Sequence, residues 1–323
     1  MEIPGGTGAA GRPLPRYIGR MSLLLLSLAL AGPRLILAGD TGEDTPVARR
    51  VAEALRGELA DPSARLLALG DLYYDHVPVG PSCVAEVVAR YQLYYSGIRP
   101  TQIVGVLGNH DVTNADQSGF SAEARACTTA AFAQLGWTAP DSHVVRLDRQ
   151  GVRADLAVID AGFLMPDGSH QGATPPALKL RRSAHWWLYA DHYTWLSSTG
   201  KCGEAGNTWN WLQKPSMDLW LNGHAHHLEA IPVEGALAVT SGAGMQFRPK
   251  KDCPGVTGSF FVYTLGESQQ GGYIRLDLTS RTKARLTPVL CTVNGPCVDQ
   301  PAVECTRKKG ERGVDCAPAT PTE

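Results

Sequence analysis

The sequence has no CxxC pair, no apolar run of membrane-spanning length, almost no net charge, and neither an internal repeat nor a heptad pattern. Each absence closes off a class. Without CxxC spacing, a zinc ribbon is not the expected use of its eight cysteines. The apolar stretch at residues 23–31 falls short of the roughly 20 residues that a spanning helix needs, so no stable membrane insertion is expected. With 30 basic and 31 acidic residues the net charge is −1, which argues against a nucleic-acid groove and a polybasic membrane patch. A small charged or polar substrate is the simpler partner.

What is present begins with bulk. The chain has 323 residues, 43% hydrophobic and 19% charged, enough to bury a sizeable core in one large domain or two ordinary ones. Arg12, Arg16 and Arg20 precede the apolar run Leu23-Leu24-Leu25-Leu26-Ser27-Leu28-Ala29-Leu30-Ala31, whose end supplies small residues at the cleavage-critical positions. This predicts a signal peptide at residues 1–31 and a secreted or periplasmic protein. An even cysteine count fits export. Cys83, Cys127, Cys202 and Cys253 are scattered, whereas Cys291, Cys297, Cys305 and Cys316 crowd a tail rich in Pro, Gly and Thr. Two clips holding a short tail are expected, with the pairing open. The expected organisation is a catalytic domain at 32–290 followed by a Cys-rich tail at 291–323.

Leu35-Ile36-Leu37-Ala38 is a short apolar run ending at Gly39-Asp40, and Val47, Val51, Leu55 and Leu59 then recur at every fourth position. Strand followed by helix is the reading. The pattern returns with Leu66-Leu67-Ala68-Leu69 ending at Gly70-Asp71, a helix over about residues 82 to 95, and Ile103-Val104-Gly105-Val106-Leu107 ending at Gly108-Asn109. Alternating strands and helices imply a parallel sheet, whose loops share one edge beyond the carboxyl ends of neighbouring strands. Asp40, Asp71 and Asn109 are therefore expected to converge. The second half offers strands at 143–147, 155–159, 186–190, 217–222, 236–240, 258–263 and 272–278 with few helices between, which predicts a second, mixed sheet packed on the first. Residues 161–184, without clear periodicity, read as a loop on the rim of the site.

Five patches at strand ends carry metal-ligand chemistry: Gly39-Asp40-Thr41-Gly42, Gly70-Asp71-Leu72-Tyr73-Tyr74, Gly108-Asn109-His110-Asp111, Ala190-Asp191-His192-Tyr193 and Gly223-His224-Ala225-His226. Alone, each Gly-Asp pair reads as a turn former, and Tyr74 as a core residue with a satisfied hydroxyl. Together, hard oxygen donors mixed with imidazoles suit two adjacent cations. His224 and His226, two apart, would point to one side if the segment is extended.

The order and spacing of these patches resemble the purple acid phosphatases, within the calcineurin-like metallophosphoesterase superfamily. The detail that separates this branch is Asp40-Thr41-Gly42, with glycine where most of the superfamily has histidine, together with Tyr74 three residues after Asp71. Trp187-Leu188-Tyr189-Ala190-Asp191-His192-Tyr193, Leu219-Trp220-Leu221-Asn222-Gly223-His224-Ala225-His226 and Ser241-Gly242-Ala243-Gly244 are similar to the corresponding family segments. With no extra domain ahead of the first patch, the chain is similar to the small, single-domain, tartrate-resistant mammalian-type enzymes. The resemblance implies an α/β fold with two mixed β-sheets packed as a sandwich and flanking helices, in four layers αββα. It also implies Asp40, Asp71, Tyr74 and His226 on Fe(III), and Asp71, Asn109, His192 and His224 on a divalent metal, with Asp71 bridging. The second ion stays open among Fe, Zn and Mn, because such donors accept all three.

By the same resemblance the protein is an exported acid phosphatase that hydrolyses phosphate monoesters by attack of a metal-bound hydroxide. Two such cations outweigh the carboxylates, phenolate and hydroxide around them and leave a positive mouth that attracts a small phosphorylated substrate. His110 is expected to contact the phosphoryl oxygen or leaving group, and Asp111 to orient it or to serve as an ordinary turn acid. The family's further histidine, nine residues after His192, is missing, with Gly200 and Lys201 in that region and Thr194 where a proline is usual. Lys201 either stands in as a phosphate contact or, as a lone lysine in a Gly-rich loop, faces water, and the second is the expectation. His76, His143, His170 and His227 have no ligand slot. Two alternatives stand beside this reading: a phosphodiesterase or phospholipid headgroup hydrolase on the same metals, and an extracellular binding protein that has lost turnover.

Overall fold

The computed structural model describes residues 32–115, 119–138, 140–202, 207–249, 251–264, 270–307 and 312–320. The expected signal peptide lies outside the described residues. The first sheet begins with β1 (Arg34–Ala38), followed by helix α1 (Pro46–Glu58), β2 (Arg65–Leu69), α2 (Cys83–Tyr95) and β3 (Ile103–Val106). The three strands run parallel, as the alternation of short apolar runs with helices requires. Thr45 caps α1 by accepting the Ala48 N–H at 3.0 Å, and Pro46 occupies its first turn, where a missing N–H costs nothing. A third helix, α3 (Ala122–Leu135), is capped by Ser121 and stops at Gly136, whose φ of 69° glycine adopts without strain.

The second sheet is built from β4 (His143–Arg149), β5 (Val152–Val158), β8 (Trp186–Ala190), β9 (Leu219–Asn222), β10 (Leu228–Val233), β11 (Ala236–Ser241) and β12 (Phe261–Tyr263). Between β5 and β8 lie the two-residue strands β6 (Phe163–Leu164) and β7 (His170–Gln171), and the five-residue helix α4 (Asn207–Trp211) follows β8. The chain then returns to the first sheet with β13 (Gln270–Asp277), β14 (Lys283–Thr292), β15 (Val298–Asp299), β16 (Val303–Arg307) and β17 (Val314–Pro318), so the strand expected at 272–278 in the second sheet belongs instead to the first, antiparallel to β1. Among the described residues the sheets are ordered β17-β16-β14-β13-β1-β2-β3, with β15 beside β14, and β12-β10-β11-β9-β8-β5-β4. Both mix parallel and antiparallel pairs.

Side-chain alternation assigns each face. Leu35, Leu37, Leu67, Leu69, Val104 and Val106 meet Leu156, Leu188, Leu219 and Val239 between the sheets. Their neighbours Ile36, Ala38, Leu66 and Ala68 face outward, under α1, α2 and α3. On the far side, Ala157, Tyr189, Trp220 and Ala238 are covered by Trp195, Trp209, Leu178 and Leu180, so loops and α4 form that layer. The fold is the α/β sandwich of two mixed sheets that the sequence predicts, and the 161–184 segment packs Leu164, Leu178 and Leu180 against the second sheet.

All eight cysteines are paired. Cys83–Cys127 joins α2 to α3, Cys202–Cys253 joins two loops, and Cys291–Cys297 and Cys305–Cys316 clip the tail. The tail is more than clipped, because β16 and β17 extend the first sheet. Asp218, fully buried, accepts from Arg307 at 3.0 Å, from Arg312 at 3.3 Å and from the Gly313 N–H at 3.0 Å, which fixes the tail to the second sheet. No helix among the described residues is long and apolar enough to cross a membrane.

Candidate metal centre

Each patch follows a strand: Asp40 follows β1, Asp71 follows β2, Asn109 follows β3 at the edge of its sheet, His192 follows β8 and His224 follows β9. Because the strands of both sheets end at one rim, residues distant in sequence meet there. The loops are zipped together by their backbones, with Asp40 N–H donating to Gly70 O at 2.9 Å and Gly42 N–H to Asp71 O at 3.0 Å. Asp40, Asp71 and His224 hold φ of 54°, 52° and 64°, a left-handed conformation that non-glycine residues keep only when their surroundings over-determine it. That three site positions share it marks the rim as a place where strain is held.

Two groups of donor atoms adjoin. In one, Tyr74 Oη donates to Asp40 Oδ1 at 3.3 Å, His226 Nε2 lies 3.3 Å from the same carboxylate oxygen, and Tyr74 Oη touches His226 Nε2. In the other, His192 Nε2 lies 3.4 Å from Asp71 Oδ2, 3.1 Å from Asn109 Oδ1 and 3.0 Å from His224 Nδ1. Asp71, His192 and His224, all buried, present one oxygen and two ring nitrogens within 4.8 Å of one another, a grouping able to hold a metal ion. All seven residues expected as ligands are brought to this rim. His192 Nδ1 donates to Leu69 O at 2.8 Å, which turns Nε2 toward the donors.

His224 and His226 do reach one site, but not by extended geometry. The segment is a tight turn, with Ala225 N–H donating to Gly223 O at 2.8 Å and His227 N–H to Ala225 O at 2.7 Å. The His224 backbone N–H donates to Asp40 Oδ2 at 2.8 Å, and that contact aims the turn.

Glycine is required where loops touch side chains. A Cβ on Gly108 would stand 2.1 Å from Asp71 Oδ1, and one on Gly70, already at φ 84°, 2.5 Å from His192 Nδ1.

The charges explain what the cluster wants. Burial opposes a charge on Asp71, but the neighbouring His192 ring outweighs burial and holds the carboxyl far below its ordinary value. Burial likewise pulls His192 down, yet Asp71 prevails and the imidazole is pushed up to about 10. Tyr74 is pushed far up by burial and by the Asp71 and Asp40 carboxylates, so its phenol would ionise only beside a cation. Buried carboxylates, facing imidazoles and a phenol fit a pair of cations.

His110 stacks on Tyr74 with ring centroids 4.2 Å apart, and its N–H donates to Asp71 Oδ1 at 2.9 Å. Burial lowers the pKa of its ring. Of the two roles expected of Asp111, orienting that ring or shaping a turn, its contacts belong to the second. Fully buried, its carboxylate accepts the backbone N–H groups of Leu72 at 3.0 Å, Tyr73 at 3.0 Å and Gly108 at 2.9 Å, and so ties the Asp71 loop to the Asn109 loop. Burial, with Asp71 nearby, pushes Asp111 up to about 7.

Two features escaped sequence reasoning. Glu229, fully buried, accepts from His227 Nε2 at 3.0 Å, Ser197 Oγ at 2.9 Å and Ser198 N–H at 3.1 Å, and so anchors the loop that carries Lys201. Arg248 and Lys251 line a cavity of about 230 Å³ together with Lys201, His224 and His226. The only sequence signal was the basic run after Phe247, which has no motif. A larger groove of about 810 Å³, lined by Arg50, Glu58, Tyr273 and Asp299, contains none of the donors.

The chain belongs to the calcineurin-like phosphoesterase family, whose family model matches residues 33–228. No curated protein matches it in sequence. Among solved structures it is similar to GAP50, the anchor in the inner membrane complex of Plasmodium, at 14% identity and a TM-score of 0.56, over 86% of this chain and 90% of that one. It is similar to the purple acid phosphatase of yellow lupin seeds at 15% identity and a TM-score of 0.55, over 86% of this chain and 54% of the lupin chain. At such identities the likeness concerns the fold.

Proposed function

We propose that the protein is an exported, dinuclear metal-dependent acid phosphatase of the purple acid phosphatase branch, acting on small phosphate monoesters. The observation that carries the reading is the pair of adjoining donor groups, Asp40, Tyr74 and His226 beside Asp71, Asn109, His192 and His224. The first group with Asp71 would hold Fe(III), and the second a divalent iron, zinc or manganese. When bound, the cations supply Lewis acidity to the phosphoryl oxygens and to an attacking oxygen.

The chain's own residues do the rest. His110, stacked on Tyr74, can donate a hydrogen bond to a phosphoryl oxygen or to the leaving group. Asp111 keeps the Asp71 and Asn109 loops in register by its three backbone contacts. Four disulfides agree with export.

Metal analysis, a visible spectrum and rates on phenyl phosphate across the pH range test the reading. Iron with a second metal, a phenolate-to-iron absorption band and hydrolysis at acid pH are expected. A metal-replete chain that hydrolyses no ester at any pH sinks it, and faster turnover of diesters than monoesters would favour the phosphodiesterase alternative. A binding role draws on the likeness to an anchor protein and on Thr194 and Gly200 at positions where the family resemblance expects other residues. It becomes the better reading if metals bind fully without turnover.

A further inference from the structure

Helix α2 reaches all three donor loops of the first sheet. Tyr91 Oη donates to Asp111 Oδ1 on the Asn109 loop at 3.5 Å, Tyr95 Oη meets Thr41 Oγ1 beside Asp40, and the Arg90 guanidinium touches the Asp40 loop and the Asp71–Tyr74 loop together. The Cys83–Cys127 disulfide ties the start of the helix to α3.

Arg90 spans two loops with one planar group. One nitrogen donates to the Gly42 carbonyl at 3.1 Å, another pairs with the Asp75 carboxylate, and the guanidinium carbon stands 5.3 Å from the centre of the Tyr73 ring. Tyr73 and Asp75 flank Tyr74 in the chain, and Gly42 lies two residues beyond Asp40. The same Gly42 carbonyl accepts the Tyr74 N–H at 3.4 Å, and the Gly42 N–H donates to Asp71 O at 3.0 Å. The loops meet backbone to backbone, since a Cβ on Gly42 would stand 2.5 Å from Tyr73 N. With the Asp75 side chain 67% exposed, the ion pair adds little stability by itself. Its value is geometric: a rigid fork that stacks on a ring and donates in two directions admits one arrangement, which a lysine does not reproduce.

We infer that Arg90 is a positioning residue that sets the separation of the Asp40 and Tyr74 loops, and thereby the place of the Tyr74 oxygen beside the Asp40 carboxylate and His226. That these three groups take a metal ion rests on the proposed function, whereas the bridge between the loops rests on the contacts of Arg90 alone.

Hydrogen exchange of the metal-free full chain, read by mass spectrometry, tests the bridge. In Arg90→Ala, peptides covering residues 40–44 and 70–76 should exchange about tenfold faster, as for a lost charge-assisted hydrogen bond, with β3 and β9 unchanged. Zn²⁺ titrated alone should bind about tenfold more weakly, as when a group that orients a ligand is removed. After iron loading, the phenolate-to-iron band should shift or fade per bound iron, which a mere loss of overall stability would not produce. Arg90→Lys, which keeps the charge without the fork, should recover only part of each effect. Asp75→Asn, at an exposed position where folding is not at stake, should loosen the same peptides to a smaller degree. Exchange unmoved in both loops, or faster in every peptide alike, overturns the bridge. Loosened loops with wild-type Zn²⁺ affinity and an unmoved band overturn the positioning role. A wild type that binds neither Zn²⁺ nor iron defeats the phosphatase reading instead, and exchange in the two loops then upholds or overturns the bridge by itself.

Discussion

Asp71 and His110 stand within one hydrogen bond of each other, yet their proposed duties differ. The Asp71 carboxylate faces His192 on one oxygen and the His110 N–H on the other, so its removal takes away the proposed bridge and the charge partner of His192. Asp71→Ala should therefore abolish binding of both metals. His110→Ala keeps the backbone N–H and removes only the stacked ring, so metal content should hold while kcat falls about 10²-fold or more, the range of a lost acid–base or hydrogen-bonding group. Metal analysis beside steady-state rates checks the pair, and equal metal loss in both variants refutes the division of labour. Tyr74→Phe removes the phenol oxygen and should bleach the visible band. A variant that stays coloured would move the iron ligand elsewhere. At Gly108, a methyl group has no room beside Asp71 Oδ1, so Gly108→Ala should lower metal affinity although it touches no metal itself. Titration with a metallochromic indicator reads that directly.

At the scale of strands, helices and loops, the donor-bearing strands were legible because they are buried on both faces. β1, β2 and β3 read as unbroken apolar runs cut off by Gly-Asp or Gly-Asn, and that punctuation places the donors. α3 was not legible, since its buried face of Ala124, Cys127, Thr128, Ala131 and Phe132 has helical spacing but little apolar contrast with the exposed side. β10 and β14 contain Pro232 and Pro288, and a proline argues against a strand until the fold reveals that its missing N–H is not needed. The clamp on the Lys201 loop could not be read either, because Glu229 contacts residues about thirty positions away.

That clamp gives a pH prediction. Burial resists the charge on Glu229, but the hydrogen bond and charge of His227 and the bonds from Ser198 and Ser259 prevail, and the carboxyl lies below its ordinary value of 4.5. A carboxyl depressed in the folded state contributes stability above its unfolded pKa and loses it as pH falls through the folded value. Unfolding free energy from urea titrations should thus drop below about pH 4.5, and Glu229→Gln should be less stable at neutral pH with a shallower acid loss. An unchanged pH profile in the variant would remove Glu229 from this role. Asp218 plays the comparable part for the tail: Asp218→Ala removes the buried acceptor that Arg307, Arg312 and the Gly313 N–H share, and a cost of about 3–5 kcal/mol is expected in the same titration.

For the molecule as a whole, the sandwich and the proposed metal centre are two consequences of one arrangement. Asp40, Asp71, Tyr74 and Asn109 come from loops of the first sheet, whereas His192, His224 and His226 come from loops of the second, so any ion held by both groups ties the sheets at their rim. The sequence announced the two sheets by their strand patterns and the donors by their patches. It could not announce the tie, which depends on how the inner faces around Leu37, Leu67, Leu188 and Leu219 interlock. A ligand that binds only the folded state stabilises it by mass action, and metal at 100 times its dissociation constant contributes about 2.7 kcal/mol. The thermal midpoint should therefore rise with added metal and fall on chelation. In Asp71→Ala, where the proposed bridge is gone, the midpoint should be indifferent to metal although the apolar interface between the sheets is intact. If instead the variant responds as fully as the wild type, the stabilising ions bind away from this rim, and the two groups of donors are held together by packing alone.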